Sequence, residues 1–247
     1  PCHSSAMTLD GASVAMRAFT RFATGDDRQS LSILAAEQTP PDMYRSALYS
    51  LGRSLGGSLL AELGNVLPNR ICVVCSVEDA DSLAAGIISR LEDEGLEERV
   101  RVVCFWNDRL ELDGISLAPI LKAYREPCNV DDAALVVVKS IISSACVVRT
   151  NLSHLIANAN PRRIFVVAPV MFKGVDQSLR HDFDPSISER FEYIALAIDD
   201  EKRDGKWIAP GVGGDIHTRL GYGGAEKKNA HVPALVKARR RHAALAA

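Results

Sequence analysis

The chain has little with which to cross a membrane, hold a metal or run a nucleophilic triad, and each shortage narrows what it does. Within its 247 residues no run approaches the ~18 to 20 consecutive apolar positions that a bilayer-spanning helix requires, so no membrane partner is expected. The first residues, PCHSSAM, lack a basic segment followed by an apolar one. They read as an extraneous remnant ahead of Met7 rather than a signal peptide, and a cytoplasmic location is expected. Neither sign of charge is in excess: 29 Lys and Arg stand against 31 Asp and Glu, which gives no global attraction to nucleic acid or to a lipid surface. Aromatics are scarce at 6%, but 47% of the residues are hydrophobic, enough for one sizeable core.

Of the six cysteines, Cys2, Cys72, Cys75, Cys104, Cys128 and Cys146, four lie in or beside apolar strand-like runs and read as buried free thiols. Cys72 and Cys75 form a CxxC, but side chains alternate along a strand. Two sulfurs three positions apart then face opposite ways, which argues against a metal or redox role. His154 and His217 have no Ser or Cys nucleophile and acid at recognisable spacing, so no residue is assigned a catalytic role. A surface or capping role suits His217 better than action on a ligand from its place near Asp215.

What is present is organised around residues 131–170. Ala134 to Val138 is a short apolar run rich in Val, and Lys139 to Ser144 interrupts it with small polar residues. Val147 to Ala159 has helical spacing, and Ile164 to Val170 is apolar again. This is the pattern of a parallel βαβ unit, whose first loop lies at the carboxyl edge of the sheet, where anionic ligands are commonly received. Upstream, Ala12 to Phe22 reads as a short helix and residues 24–30 as a turn. Thr39 is a plausible N-cap with Pro40 at the first helical position, and Tyr44, Leu48, Leu51, Leu55 and Leu59 recur at helical spacing through Pro41 to Leu63. Gly52, Gly56 and Gly57 weaken that helix by ~1 kcal/mol each relative to Ala unless another helix, of this domain or of a second subunit, approaches closely.

Arg70 to Ser76 reads as a strand, residues 77–81 as its loop and Ser82 to Leu91 as a helix ended by Gly95. Val100 to Trp106 is the next strand, followed by a polar segment with Asp108, Arg109, Glu111 and Asp113. A polar connection with His181, Asp182 and Asp184 precedes the strand Phe191 to Ile198. Strands alternate with helices throughout, which predicts an α/β domain with a mostly parallel twisted sheet and helices on both faces. Residues 7–224 form this domain, with a Gly-rich C-terminal hood loop, and residues 225–247 form a basic tail with Lys227, Lys228, Lys237, Arg239, Arg240 and Arg241.

Several segments together resemble uracil phosphoribosyltransferases of the type I phosphoribosyltransferase fold, in the same order over almost the whole chain. Thr39-Pro40-Pro41 with Tyr44-Arg45 and the run Leu51 to Leu55 are similar to that family's N-terminal helix. Phe105 to Asp108 fall where it has an aromatic-Arg-Asp, and Arg125-Glu126-Pro127 where it has Lys-Leu-Pro. Lys206 to Gly213, KWIAPGVG, is similar to the aromatic-Ile-Val-Pro-Gly-Leu-Gly of its uracil-binding loop. The resemblance implies a nucleobase site at Trp207, Ile208, Pro210, Gly211, Gly213 and Asp215. Asp215 and Arg219 stand nearest to the family's Asp-Ala-Gly-Asp-Arg. A homodimer is also implied.

The departures lie in the loops that would take phosphoribosyl pyrophosphate. Where the family has an acid followed by a Thr-Gly turn, this chain has Lys139 and then Ser140, Ser143 and Ser144. A lysine has no acceptor for sugar hydroxyls, and charge-assisted bonds of that kind contribute ~1.5 to 3 kcal/mol each. Where the family has Arg-Ala-Gly, this chain has Glu78, Asp79, Ala80 and Asp81. An Arg there attracts a pyrophosphate by ~4 kcal/mol at ~4 Å and an effective dielectric near 20, and a Glu reverses the sign. Asn107, where the family has Arg, is a third departure. These changes predict an ion pair between Lys139 and Glu78 or Asp79 across the site, and no cofactor. Magnesium enters only if the chain is an active enzyme.

Three readings follow. The first is a phosphoribosyltransferase-fold protein without transferase activity, serving as a nucleobase or nucleotide sensor or as an assembly component of a larger complex. The second is an active uracil, or related base, phosphoribosyltransferase with altered substrate. The third is a nucleic-acid-associated subunit that uses the basic tail.

Overall fold

The computed structural model describes residues 17–108, 110–112, 115–157, 159–204 and 207–245. In chain order, β1 (Arg17–Phe19) leads into α1 (Gly25–Ala35) and α2 (Pro41–Leu63). β2 (Arg70–Ser76) runs directly into α3 (Val77–Asp79), a π turn (Ala80–Ala84) and α4 (Ala85–Glu92). β3 (Val100–Asn107) is followed by β4 (Leu110–Leu112), β5 (Ile115–Leu117) and β6 (Ile120–Arg125). Then come β7 (Ala133–Val138), β8 (Ile141–Ile142), α5 (Cys146–Ile156), β9 (Arg163–Phe172), α6 (Val175–His181), α7 (Pro185–Ser188) and β10 (Phe191–Asp199). The chain closes with β11 (Glu201–Arg203), β12 (Trp207–Ala209), α8 (Ile216–Arg219), α9 (Ala225–Ala230) and α10 (Ala234–Leu245).

The main sheet has the order β1-β10-β9-β7-β2-β3-β6, with β8 added beside β9. Strands β10, β9, β7, β2 and β3 are mutually parallel, and β1 and β6 close the edges antiparallel. Apolar runs such as AALVVV, buried at every position, belong in the middle of such a sheet because helices cover both faces. Alternation along β2 splits its residues between two cores. Ile71, Val73 and Cys75 join the core beneath α1, α2 and α4, whereas Cys72 and Val74 join the core beneath α5 and α6. The two CxxC cysteines therefore lie on opposite faces of the sheet, and both are free thiols. Among the described residues no helix is long and apolar enough to cross a membrane.

Several expectations are corrected by tertiary context. Of the helix expected over 12–22, residues 12–16 lie outside the described residues, and Arg17–Phe19 is an edge strand. The Arg17 guanidinium clamps Asp199 of its neighbour β10 at 2.8 and 2.7 Å, which holds the segment extended. The expected turn over 24–30 is instead the start of α1: Thr24 and Asp27 form a reciprocal capping box. α2 spans the predicted Pro41–Leu63, but its N-cap is Pro40, and the Thr39 hydroxyl instead donates to the Ile33 carbonyl at 2.7 Å. Residues 77–81, expected as a loop, are helical and continue through the π turn into α4, so the helix begins at Val77 rather than Ser82. The polar segment after β3 contains the β4–β5 hairpin, with Arg109 and Asp113 outside the described residues. The partner that Gly52 and Gly56 admit is α4 of the same chain: a Cβ on Gly52 would lie 2.2 Å from the Leu83 carbonyl oxygen, and one on Gly56 2.8 Å from the Arg90 Cβ.

Candidate functional site

Strands β2, β3 and β7 end together at the carboxyl edge of the sheet because they are parallel and in register, so the loops that follow them converge. Lys139, next after β7, reaches across to the first turn after β2. Its ammonium donates to Glu78 Oε1 at 3.0 Å and Asp79 Oδ2 at 2.8 Å, and the Ser140 N–H donates to Asp79 Oδ1 at 3.2 Å. The Ser76 hydroxyl completes the shell of Asp79 at 2.7 Å. All three charged groups are buried. Burial pushes the Glu78 carboxyl up, but Lys139, His217 and Lys228 outweigh it and hold the group lowered to about 2. Burial pushes the Lys139 ammonium down, yet Asp79 and Glu78 reverse this and leave it raised above the usual lysine value. The expected ion pair is present, and with both acids.

The second wall is the segment after β12. Asp199 accepts from the Gly211 N–H at 2.8 Å, Arg17 donates to the Gly211 carbonyl at 2.6 Å, and the buried Tyr44 hydroxyl donates to the Val212 carbonyl at 2.8 Å. These backbone groups are engaged within the protein, and they pin the loop against β10 and α2. Gly213 is required by space as well as by its φ of 76°, since a Cβ would lie 2.3 Å from the Leu34 carbonyl oxygen. Asp215 caps the short α8, accepting from the Thr218 N–H at 2.9 Å and its hydroxyl at 2.8 Å. Burial raises the Asp215 carboxyl, but these bonds leave it below the usual range. His217 follows it, lowered by burial and by Lys228 and Lys139 against the pull of Glu78.

Between the walls lies a cavity of about 250 Å³, lined among others by Glu78, Asn107, Lys139, Trp207, His217 and Lys228. Ser143, Ile208 and Asp215 also reach it. Ser140 is buried behind the ion pair, Ser144 is exposed, and Pro210, Gly211 and Gly213 shape the wall without lining the space. Asp81 is directed elsewhere: its carboxylate accepts from the Ala234 and Leu235 N–H groups at 2.9 Å each and caps α10. Glu78 and Asp79 share one ammonium and Asp81 faces a helix end, so the three do not form a magnesium site. Among the described residues no cluster of His, Cys, Asp or Glu is placed to hold a metal ion.

Of two further members of the site, Asn107 stood out in the sequence as the place of a family Arg, and Lys228 carried no such role. Lys228, counted there with the basic tail, is buried and donates to the Asn107 carbonyl oxygen. Asn107 is buried at the end of β3, where its amide nitrogen donates to the Ala118 carbonyl at 3.1 Å and to Asn151 Oδ1 at 2.8 Å. A lysine in a polar 6-residue helix has no local signal for burial, because only docking of α9 decides it.

No protein-family model matches this sequence, and no curated protein matches it. Solved structures do. The AQ2163 protein from Aquifex aeolicus superposes with a TM-score of 0.62 at 14% identity, over 81% of this chain and 95% of that one. The L. donovani hypoxanthine-guanine phosphoribosyl transferase gives a TM-score of 0.42 at 12% identity, covering 64% of this chain and 80% of its own. A hypothetical protein from Neisseria gonorrhoeae with bound ppGpp gives 0.40 at 10% identity, over 66% and 81%. The first likeness is one of fold alone, and the other two are too loose to bear on function.

Proposed function

We propose that this chain is a phosphoribosyltransferase-fold protein that does not transfer phosphoribosyl groups. It acts as a nucleobase or nucleotide sensor, or as an assembly component, through the cavity between loops 139–144 and 207–215. One observation carries this reading: the ammonium of Lys139 lies between Glu78 and Asp79 at 3.0 and 2.8 Å, buried, at the carboxyl edge of the sheet. In the resembled family that place must accept hydrogen bonds from sugar hydroxyls and leave room for a diphosphate with its magnesium. Here the position presents a cation without acceptors, and the two nearest carboxylates are committed to it. A pyrophosphate entering beside Glu78 and Asp79 meets repulsion, and separating the pair to admit it costs about 3–5 kcal/mol.

The parallel sheet supports the reading, and so does the Trp207–Gly213 segment that forms a wall of the cavity, as the resemblance implies. A homodimer comes with the same resemblance, and its expected signature is twice the chain mass in sedimentation. The test of function is turnover. With uracil, phosphoribosyl pyrophosphate and Mg²⁺, no nucleotide should form. Formation at ordinary enzyme rates, ~1 s⁻¹ or more, overturns the proposal in favour of an active transferase.

A further inference from the structure

At the amino edge of the sheet, opposite the cavity, the fold gathers two cysteines and three arginines that are scattered in the sequence. β6 runs antiparallel to β3 and so delivers the chain to that edge, where the Glu126 N–H still donates to the Val102 carbonyl at 3.0 Å. β7 lies beyond β2 in the sheet order, so the connection 126–132 has to cross the starts of β3 and β2 to reach it. Cys128, in this connection, packs against the core that holds Cys72 of β2. Arg101 of β3 is the register partner of Cys72, and partners in adjacent strands leave the sheet on the same face.

Half-buried Cys128 borders an open cleft of about 900 Å³ that Arg70, Glu98, Arg99, Arg101 and Asn129 also line. Among the described residues the three guanidinium groups bond only to backbone carbonyls: Arg70 to Asn69 at 3.0 Å, Arg99 to Pro68 at 3.1 Å, and Arg101 to Glu98 and Val100 at 2.9 and 2.8 Å. Three cations against the single acid Glu98 make the cleft a place for an anion. The Cys72 thiol is fully buried, and its hydrogen bond with Cys128 and its burial both push it up. That same bond, with Arg101 and Arg70, outweighs burial and Glu126 and holds the Cys128 thiol lowered to about 7. A partly exposed thiol in an electropositive cleft is the reactive kind, and a second sulfur stands beside it.

We propose that Cys128 and Cys72 are an attacking and a resolving thiol, oxidised by a small disulfide with free carboxylates, of the glutathione class, which Arg70, Arg99 and Arg101 receive. The Cys128 thiolate attacks one sulfur of that disulfide. A bond forms from Cys128 Sγ to this sulfur, the small molecule's own S–S bond breaks, and one thiolate leaves and takes up the proton that Cys128 gave to water. The Cys72 sulfur then attacks Cys128 Sγ and passes its proton to the second departing thiolate. Two protein thiols have then lost two electrons and two protons, and the small disulfide has gained them as two thiols. Burial of Cys72 is no obstacle, because it meets only the sulfur next to it. The product ties the connection 126–132 to β2.

Incubation of the full chain with oxidised glutathione, followed by peptide mapping with mass spectrometry, tests it. The unaltered chain should yield the Cys72–Cys128 disulfide, reversed by dithiothreitol. Cys72→Ser should stop at a mixed disulfide on Cys128, and Cys128→Ser should form neither product. Uncharged 2-hydroxyethyl disulfide isolates the role of charge: the double variant Arg70→Gln, Arg99→Gln should slow oxidised glutathione about tenfold and the uncharged reagent about twofold at most. A chain that does not react overturns the inference, and so does one that reacts first at another cysteine or keeps a mixed disulfide on Cys128 while Cys72 stays free. Equal slowing of the two reagents overturns the part given to the arginines. The mapping of the unaltered chain decides the pair, so the result does not depend on a variant folding. Turnover of phosphoribosyl pyrophosphate bears on none of these outcomes.

Discussion

Lys139 shows how one side chain sets both the chemistry and the stability of the site. Its buried ammonium lies within 3.0 Å of each of the buried acids Glu78 and Asp79, so removing the cation leaves two carboxylates without compensation. Lys139→Met should lower unfolding stability by about 3–5 kcal/mol. The triple variant Lys139→Met, Glu78→Gln, Asp79→Asn should recover much of that loss, because it removes the stranded charge as well. Urea denaturation of the two variants measures the difference, and equal losses would mean that packing rather than charge dominates. The same cluster gives the protein an acid limb. Glu78 falls from its usual 4.5 to about 2 in the folded chain, so its contribution is complete above pH 4.5 and is lost as pH falls towards 2. One such group amounts to about 3 kcal/mol. The raised lysine is the other end of the same interaction and is counted once. In Glu78→Gln this part of the pH dependence should vanish from melts recorded between pH 6 and 3. A limb unchanged in that variant would place its origin elsewhere.

α2 and α4 pack closely enough that glycine is required where they cross. Gly52 and Gly86 face each other, and a Cβ on either would lie 2.2 Å from a backbone carbonyl oxygen of the other helical segment. Gly57, one turn further along α2, has only the tip of Arg90 at 3.8 Å. Gly52→Ala should therefore destabilise by about 1–3 kcal/mol or more through overpacking. Gly57→Ala should stabilise by about 0.4–1 kcal/mol through reduced freedom of the unfolded chain. Opposite signs in thermal melts are the expected outcome, and a neutral Gly52→Ala would show that the helices move apart at little cost. The crossing was half legible: the sequence shows small residues at helical spacing in a strong amphipathic pattern, but not which helix they meet. β1 and α1 differ from the sequence expectation for related reasons. Three residues at a sheet edge have no period to detect, and the Thr24–Asp27 capping box sits inside a stretch rich in turn formers.

Across the whole molecule, the C-terminal helices act as part of the body. Val236 is fully buried, the Trp106 indole donates to the His231 carbonyl at 2.8 Å, and Asp81 caps α10. The basic run is partly neutralised in place, with Arg239 on Glu92 at 2.8 Å and near Glu126 at 3.9 Å, and Arg240 stacked over Tyr124. Charges engaged in this way are poor phosphate ligands, which weighs against the nucleic-acid reading. A chain ended at Gly224 should melt several degrees lower than the full chain, because it exposes the Val236 contact, uncovers Trp106 and removes Lys228 from the cavity. An unchanged melting temperature would show that residues 225–247 are an independent appendage.

Local pattern was enough to reveal the parallel α/β architecture, the long helix Pro41–Leu63 and the strands of the central sheet, because apolar periodicity over five or more residues records which faces are buried. It also supplied the ion pair of Lys139, since residues that follow neighbouring parallel strands must meet at one edge. Folding in three dimensions alone brought Asn107, His217 and Lys228 to the same cavity, turned Asp81 away to a helix end, and left Glu78 and Asn107 each with one buried acceptor atom that has no partner. The physical reason is that burial of a polar atom depends on everything packed around it. Residues as far as 121 positions apart contribute to that environment, and no short window of sequence contains them.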